Sequence, residues 1–197
     1  MLLIVAILGI GLLLGWGLGG GLRYLADARI RAWWLAPLAL ALQVAPLPEA
    51  GGDLGKFLPA GALLLSFLLL MVVAIMNVRN RGFGLILLGL TLNLTVIALN
   101  RGMPVSAHAL REIGHPEDIQ VLAEAERGDK HHLATREDLL TFLGDVVPVR
   151  SPFDSVASPG DLFLYGGGAV YLAAAMLGRS RRGREPEPLP EQTATLP

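Results

Sequence analysis

The chain has 197 residues, 53% of them hydrophobic and 17% charged, with a formal net charge of −1 and no cysteine. That balance belongs to the membrane class, and without cysteine there is no disulfide, thiolate metal site, iron–sulfur cluster or thiol nucleophile. The charges are segregated by position, so the near-zero total hides a pattern of long apolar runs divided by short charged joints.

The first run, residues 1–22, carries no charge and is followed by Arg23, Arg29 and Arg31. A cleaved signal peptide begins with its basic residues, so a retained membrane helix is expected here. Gly11, Gly15 and Gly19 are spaced by four and should form one groove, for packing within the bundle or for a dimer face. The second run, 32–48, opens with Trp33 and Trp34, rings that settle at a membrane interface. An acidic joint with Glu49 and Asp53 leads to the third run, 57–78, and Arg79 and Arg81 lead to the fourth, 82–100. The fifth run, 162–178, is followed by Arg179, Arg181, Arg182 and Arg184. Each run approaches the length that crosses a hydrocarbon layer of roughly 30 Å at about 1.5 Å per residue. The fold expected is an all-α membrane protein of five transmembrane helices, with an extracytoplasmic helical cap between helices 4 and 5.

The positive-inside rule puts the arginine-rich joints in the cytoplasm. It predicts an outside amino terminus, an outside segment 101–161 and a cytoplasmic carboxyl terminus in a bacterial plasma membrane. The segment 179–197, rich in Pro and Glu, should be a disordered tail. The basic cluster 179–184 abuts a span, where it serves as a topology anchor, so no nucleic-acid partner is expected. Membrane lipids, a partner membrane subunit or a second copy of the chain are the partners expected.

The fourth run alone has a polar stripe, in which Gly89, Asn93 and Asn100 share a face with Val96. A mid-membrane amide needs a partner from another helix, so Asn93 and Asn100 are read either as interhelical bonds or as the lining of a ligand cleft. No run contains a charge in its interior, which argues against a proton or ion pump. Segment 101–161 reads as three short amphipathic helices: 107–113 after Ser106, 116–127 after His115, and a third begun by Thr135 and Asp138 and running to Leu143. The four histidines all lie in this segment without metal-ligand spacing, and no metal or cofactor is expected.

Two carboxylates stand at the ends of the cap. Asp161 follows Ser158 and Pro159 as a helix N-terminus requires, which makes it a capping residue. The alternative reading pairs Asp145 with Asp161 as two carboxyls that share a proton and activate water.

The ordered segments Asn100-Arg101-Gly102-Met103-Pro104-Val105, Lys130-His131, Gly144-Asp145-Val146-Val147-Pro148 and Ser158-Pro159-Gly160-Asp161 resemble an uncharacterised family of bacterial multi-pass membrane proteins. The resemblance covers most of the chain and implies no activity. The Asn93 and Asn100 stripe, together with Met103, Pro104, Lys130 and His131 of the cap, supplies the candidate ligand- or partner-binding positions. A fainter likeness is to lipoprotein signal peptidases, which have an Asn-x-Gly after a span and an Ala-Asp opening their last helix. Here their Gly-Asn-x-x-Asp-Arg element is missing and Ser158-Pro159 replaces the Asn before that last Asp. The function expected is a non-enzymatic structural or binding component of the membrane; the alternative is a membrane-boundary aspartate hydrolase using Asp145 and Asp161.

Overall fold

The computed structural model describes residues 2–44, 53–125 and 129–178. The expected tail, the Arg179–Arg184 anchor and the first half of the acidic joint after the second run, with Glu49, lie outside the described residues. The described chain is mostly helical. Its elements are α1 (Leu2–Gly17), α2 (Leu22–Ala26), α3 (Leu35–Val44), α4 (Asp53–Met76), α5 (Phe83–Asn100), β1 (Met103–Val105), α6 (Ala107–Glu112), α7 (Glu117–Glu124), β2 (His131–Leu133), β3 (Val147–Val149), β4 (Ser155–Ala157) and α8 (Pro159–Met176).

Every apolar run holds a helix, but the helices do not all fill their runs. Among the described residues only α5 is both long and apolar enough to cross a membrane by length and composition. Leu2–Gly17 and Leu35–Val44 are shorter apolar helices, and Gly61–Met76 is the apolar stretch of α4. The first run breaks because Gly19 adopts φ +84° and the Gly20 and Gly21 amides are drawn to the carbonyls of Gly15 and Met176. At about 1.5 Å per residue, α1 is therefore about 24 Å long instead of the roughly 30 Å that its uncharged run allowed.

Helix contacts follow a row in the order α1, α8, α5, α4, α3. The inner joints of the row are built on small residues. At Gly11, an added Cβ would lie 2.6 Å from the Ala169 carbonyl oxygen, and at Gly15 it would lie 3.1 Å from the Ala173 Cα. Gly11 and Gly15 thus pack within the chain, against α8, while Gly19 lies beyond the helix with no neighbour within 4 Å. On its other side α8 meets α5 through two glycine crossings, Gly160 with Gly89 and Gly167 with Gly82. Each helix places its two glycines two turns apart, so the backbones touch twice on one face. The rising pairs 11 with 169 and 15 with 173 make α1 and α8 parallel; the crossed pairs make α5 and α8 antiparallel. The start of α1 therefore lies at the same end of the row as the segment between α5 and α8.

That segment departs from the helical cap expected. Ser106 caps α6 by accepting from the Ala109 amide, and α7 starts with Glu117 and Asp118 in its first turn. The third helix does not form. Asp138 reaches back to the Thr135 amide at 2.7 Å, half of a capping box. A helix would then need the Leu139 amide to bond to the Thr135 carbonyl. Asn100 takes that amide instead, at 2.7 Å, and Leu140 turns left-handed at φ 53°. Only a short 3-10 turn, Thr141–Leu143, follows. Strands complete the cap: β1 pairs in parallel with β2, and β3 pairs antiparallel with β4. The fold is thus helices with two small sheets, not all-α.

Candidate functional site

Strand pairing gathers the dispersed motif segments at one end of the row. In the β1–β2 register Met103 faces His131 and Pro104 faces His132, while on the other edge of β1 Val105 bridges to Asp145. The Pro104 carbonyl accepts from the Asp145 amide, and the Asp145 carbonyl accepts from the Ser106 amide. Gly144 permits this approach, since a Cβ there would stand 2.5 Å from the Pro104 carbonyl oxygen. Met103, Pro104, His131 and Asp145 are therefore brought together. Lys130 is drawn aside: its Nζ donates to the Gln43 carbonyl at 2.7 Å, tying the cap to the end of α3.

Asp161 occupies the third position of α8 in a complete capping box. Its amide donates to Ser158 Oγ at 3.0 Å, and its Oδ2 accepts from the Ser158 amide at 3.1 Å. Asn93 joins this box from α5. Its Nδ2 donates to Asp161 Oδ1 at 2.7 Å and its Oδ1 accepts from Ser158 Oγ at 2.9 Å. Gly160 is glycine because Asn93 lies where its Cβ would be. Asn93→Leu leaves Ser158 Oγ and one Asp161 oxygen without these partners, so the thermal midpoint in lipid or detergent is expected to fall. Interhelical bonds of this kind contribute about 0.6–2 kcal/mol, and a midpoint level with the parent would contradict the role.

Asn100 is likewise engaged in internal hydrogen bonds. Its Nδ2 donates to the Val96 and Leu139 carbonyls at 3.0 and 2.9 Å, and its Oδ1 accepts from the Leu139 amide. One amide thus satisfies a carbonyl of its own last turn and pairs with a remote backbone unit as a strand would. Asn77, not among the candidates drawn from the sequence, repeats the device at the opposite end. It donates to Val73 and Arg31 carbonyls at 2.7 and 2.9 Å and accepts from the Arg31 amide at 2.8 Å. Its signal was available: an amide closing an apolar run, in the same setting as Asn100. Two further buried polar contacts were missed. Gln43 Nε2 donates to Ser66 Oγ at 3.0 Å, and His132 Nε2 meets Asp138 Oδ1 at 3.2 Å.

Asp145 differs from all these groups. Its side chain is 14% exposed, and among the described residues no hydrogen bond reaches its carboxyl. His131 Nε2 lies 4.0 Å from Oδ2. Burial, assisted by the negative field of Asp161, pushes the Asp145 pKa up to about 8. Burial also holds the half-exposed His131 below its ordinary value, against the opposing pull of Asp161. A carboxyl that keeps its proton near neutral pH therefore stands beside the His131 imidazole. Among the described residues no group of three or more His, Asp or Glu side chains is placed to hold a metal ion.

No curated protein and no solved structure matches the chain. One family model does, over residues 27–173, which include every motif segment gathered here. The chain belongs to that family, DUF5317, a family of unknown function.

Proposed function

We propose that the chain is a multi-pass integral membrane protein acting as a non-enzymatic structural or partner-binding component. The observation that carries this is a helix assembly that is apolar on its perimeter. Leu13 is 65% exposed, Trp16 70% and Ile75 55%, and Leu65, Leu88, Leu99, Phe163 and Val170 are exposed as well. Water would penalise so much exposed apolar surface, whereas acyl chains cover it without cost. The buried polar side chains of the helices, Ser66, Asn77, Asn93 and Asn100, are spent on internal hydrogen bonds, which suits a scaffold. The 16-residue α1 fits the bilayer by local thinning and by interfacial residues such as Trp16 and Arg23.

In this reading the cap and the amino terminus face out of the plasma membrane of a bacterium and the Arg-bearing joints face in. Partners are membrane lipids and a second membrane subunit or copy, contacted through the cap at the exposed His131, with Met103 and Pro104 buried beneath it. A cysteine placed at His108, on the outer surface of α6, should react with an impermeant thiol reagent in intact cells. One placed at Asn80, in the α4–α5 turn, should react only after permeabilisation. The opposite pattern would invert the topology, and labelling of both in intact cells would remove the membrane reading.

One observation favours a second reading. Burial and the charge of Asp161 raise the Asp145 pKa to about 8, so Asp145 keeps its proton near neutrality and can serve as an acid, while Asp161 accepts hydrogen bonds. The membrane-boundary hydrolase, with its partial likeness to signal peptidases, would use that pair. Asp161 is held by its capping bonds to Ser158 and Asn93, which places the first reading ahead.

A further inference from the structure

At the end of the row opposite the cap, five arginines stand without an ion pair among the described residues: Arg23, Arg29, Arg31, Arg79 and Arg81. Asp27 is the one carboxylate in this part of the described chain. Beside them runs a groove whose ten lining residues are all apolar, contributed by α3, α4, α5, α8 and the segment before α3. Ile30, Ala74 and Phe83 lie at its arginine-bearing end, and Leu90 and Leu164 lie deeper. From Phe83 to Leu90 along α5 is about 10 Å, far enough for the upper part of an acyl chain.

The Asn77 clamp fixes this geometry. By bonding both polar groups of the Arg31 backbone, it holds the start of α3 against the end of α4, so that Ile30 and Trp33 form one wall of the groove. The same joint keeps the exposed Arg31 near the turn that carries the exposed Arg79 and Arg81. Uncompensated guanidinium groups above an apolar slot complement one kind of molecule: an anion with a hydrocarbon tail. Guanidinium groups pair with phosphate by two parallel hydrogen bonds, and removal from water strengthens the attraction.

We propose that this groove binds an anionic phospholipid of the inner leaflet, its phosphate held by Arg31, Arg79 and Arg81 and one acyl chain laid between α3 and α5. The proposal rests on the membrane reading above. Basic pockets between helices on the inner side are the physical setting in which lipid head groups are recognised.

The full chain reconstituted in vesicles of phosphatidylcholine containing a minority of phosphatidylglycerol should retain phosphatidylglycerol through detergent extraction. Lipid co-purifying with the protein, counted by mass spectrometry, is the readout. Enrichment over the bulk ratio is expected to be several-fold. It should fall to near one in the triple variant Arg31→Gln, Arg79→Gln, Arg81→Gln. It should fall as well in Ala36→Phe, which fills the groove and leaves every charge in place. Equal retention of both lipids by the parent chain would overturn the proposal. So would enrichment untouched in Ala36→Phe, because charge alone would then explain it, and so would a second copy of the chain found in the groove. Flotation with the vesicles is scored in parallel. A chain that floats but shows no lipid preference refutes only the lipid site, whereas one that fails to float refutes the membrane reading together with it.

Discussion

Asp145→Asn is expected to raise the thermal midpoint at pH 7.5 by several degrees and to leave it almost unchanged near pH 4. The folded protein holds the Asp145 carboxyl at a pKa of about 8, against 3.8 for the ordinary group, because burial and the Asp161 field disfavour its charge. A raised acid binds its proton more tightly in the folded state. Its stabilising share is thus fully present below pH 3.8 and is lost as pH rises through about 8. Each pH unit within that window removes at most about 1.4 kcal/mol, and relaxation with water entry reduces this, leaving a gain of about 2–3 kcal/mol for the Asn variant at neutral pH. The parent should in turn lose stability steadily from pH 4 to pH 8, and a parent midpoint flat across that range would contradict the prediction.

The same variant separates the two functional readings. In a strain deleted for the gene, Asp145→Asn should still complement if the carboxyl is a structural remnant under the cap. Loss of complementation by a well-inserted, more stable protein would favour the hydrolase, since stabilisation with loss of function is the mark of a strained active group. Asp161→Asn is the companion. A capping role predicts a folded protein weakened by about 1 kcal/mol with function retained.

Gly160→Leu should have the largest effect on folding. Any side chain there occupies the site of the Asn93 amide, and its Cβ would also lie 2.8 Å from the Gly89 carbonyl oxygen. The substitution separates α5 from α8 and leaves Asn93, Ser158 and Asp161 without the bonds that join them. Overpacking combined with stranded polar groups costs about 3–5 kcal/mol, enough to prevent isolation of a monodisperse protein. Gly166→Ala is the control on the same helix, with no heavy atom within 4 Å of the new Cβ. It should leave the midpoint level or slightly higher, because Ala is the better helix former. Equal behaviour of the two variants would mean that α8 does not pack on α5 through Gly160.

The helices were legible in the sequence because what makes them is local. Uncharged runs of suitable length predicted α1, α3, α4, α5 and α8, and Ser158, Pro159 and Asp161 announced the start of α8 within four residues of chain. Ser106 did the same for α6. Where the reading failed, a distant group had intervened. The third cap helix had its Thr135 and Asp138 signal, and it did not form because Asn100, 39 residues away, captured the Leu139 amide. The first helix stopped at Gly17 since the Gly21 amide bonds to Met176 across the bundle.

The site divides along the same line. Composition and order of residues determined which side chains were candidates: the Asn93 and Asn100 amides, the Lys130-His131 pair, Asp145 and Asp161. Only the tertiary structure decided their roles, since a polar group is defined by the partner it finds. Parallel pairing of β1 with β2 drew His131 to Met103, whereas Lys130 went to α3. Two identical carboxyls received opposite environments, Asp161 among hydrogen-bond donors and Asp145 largely desolvated with none on its carboxyl among the described residues. Desolvation and interhelical bonding depend on elements far apart in the chain, and no local pattern records them.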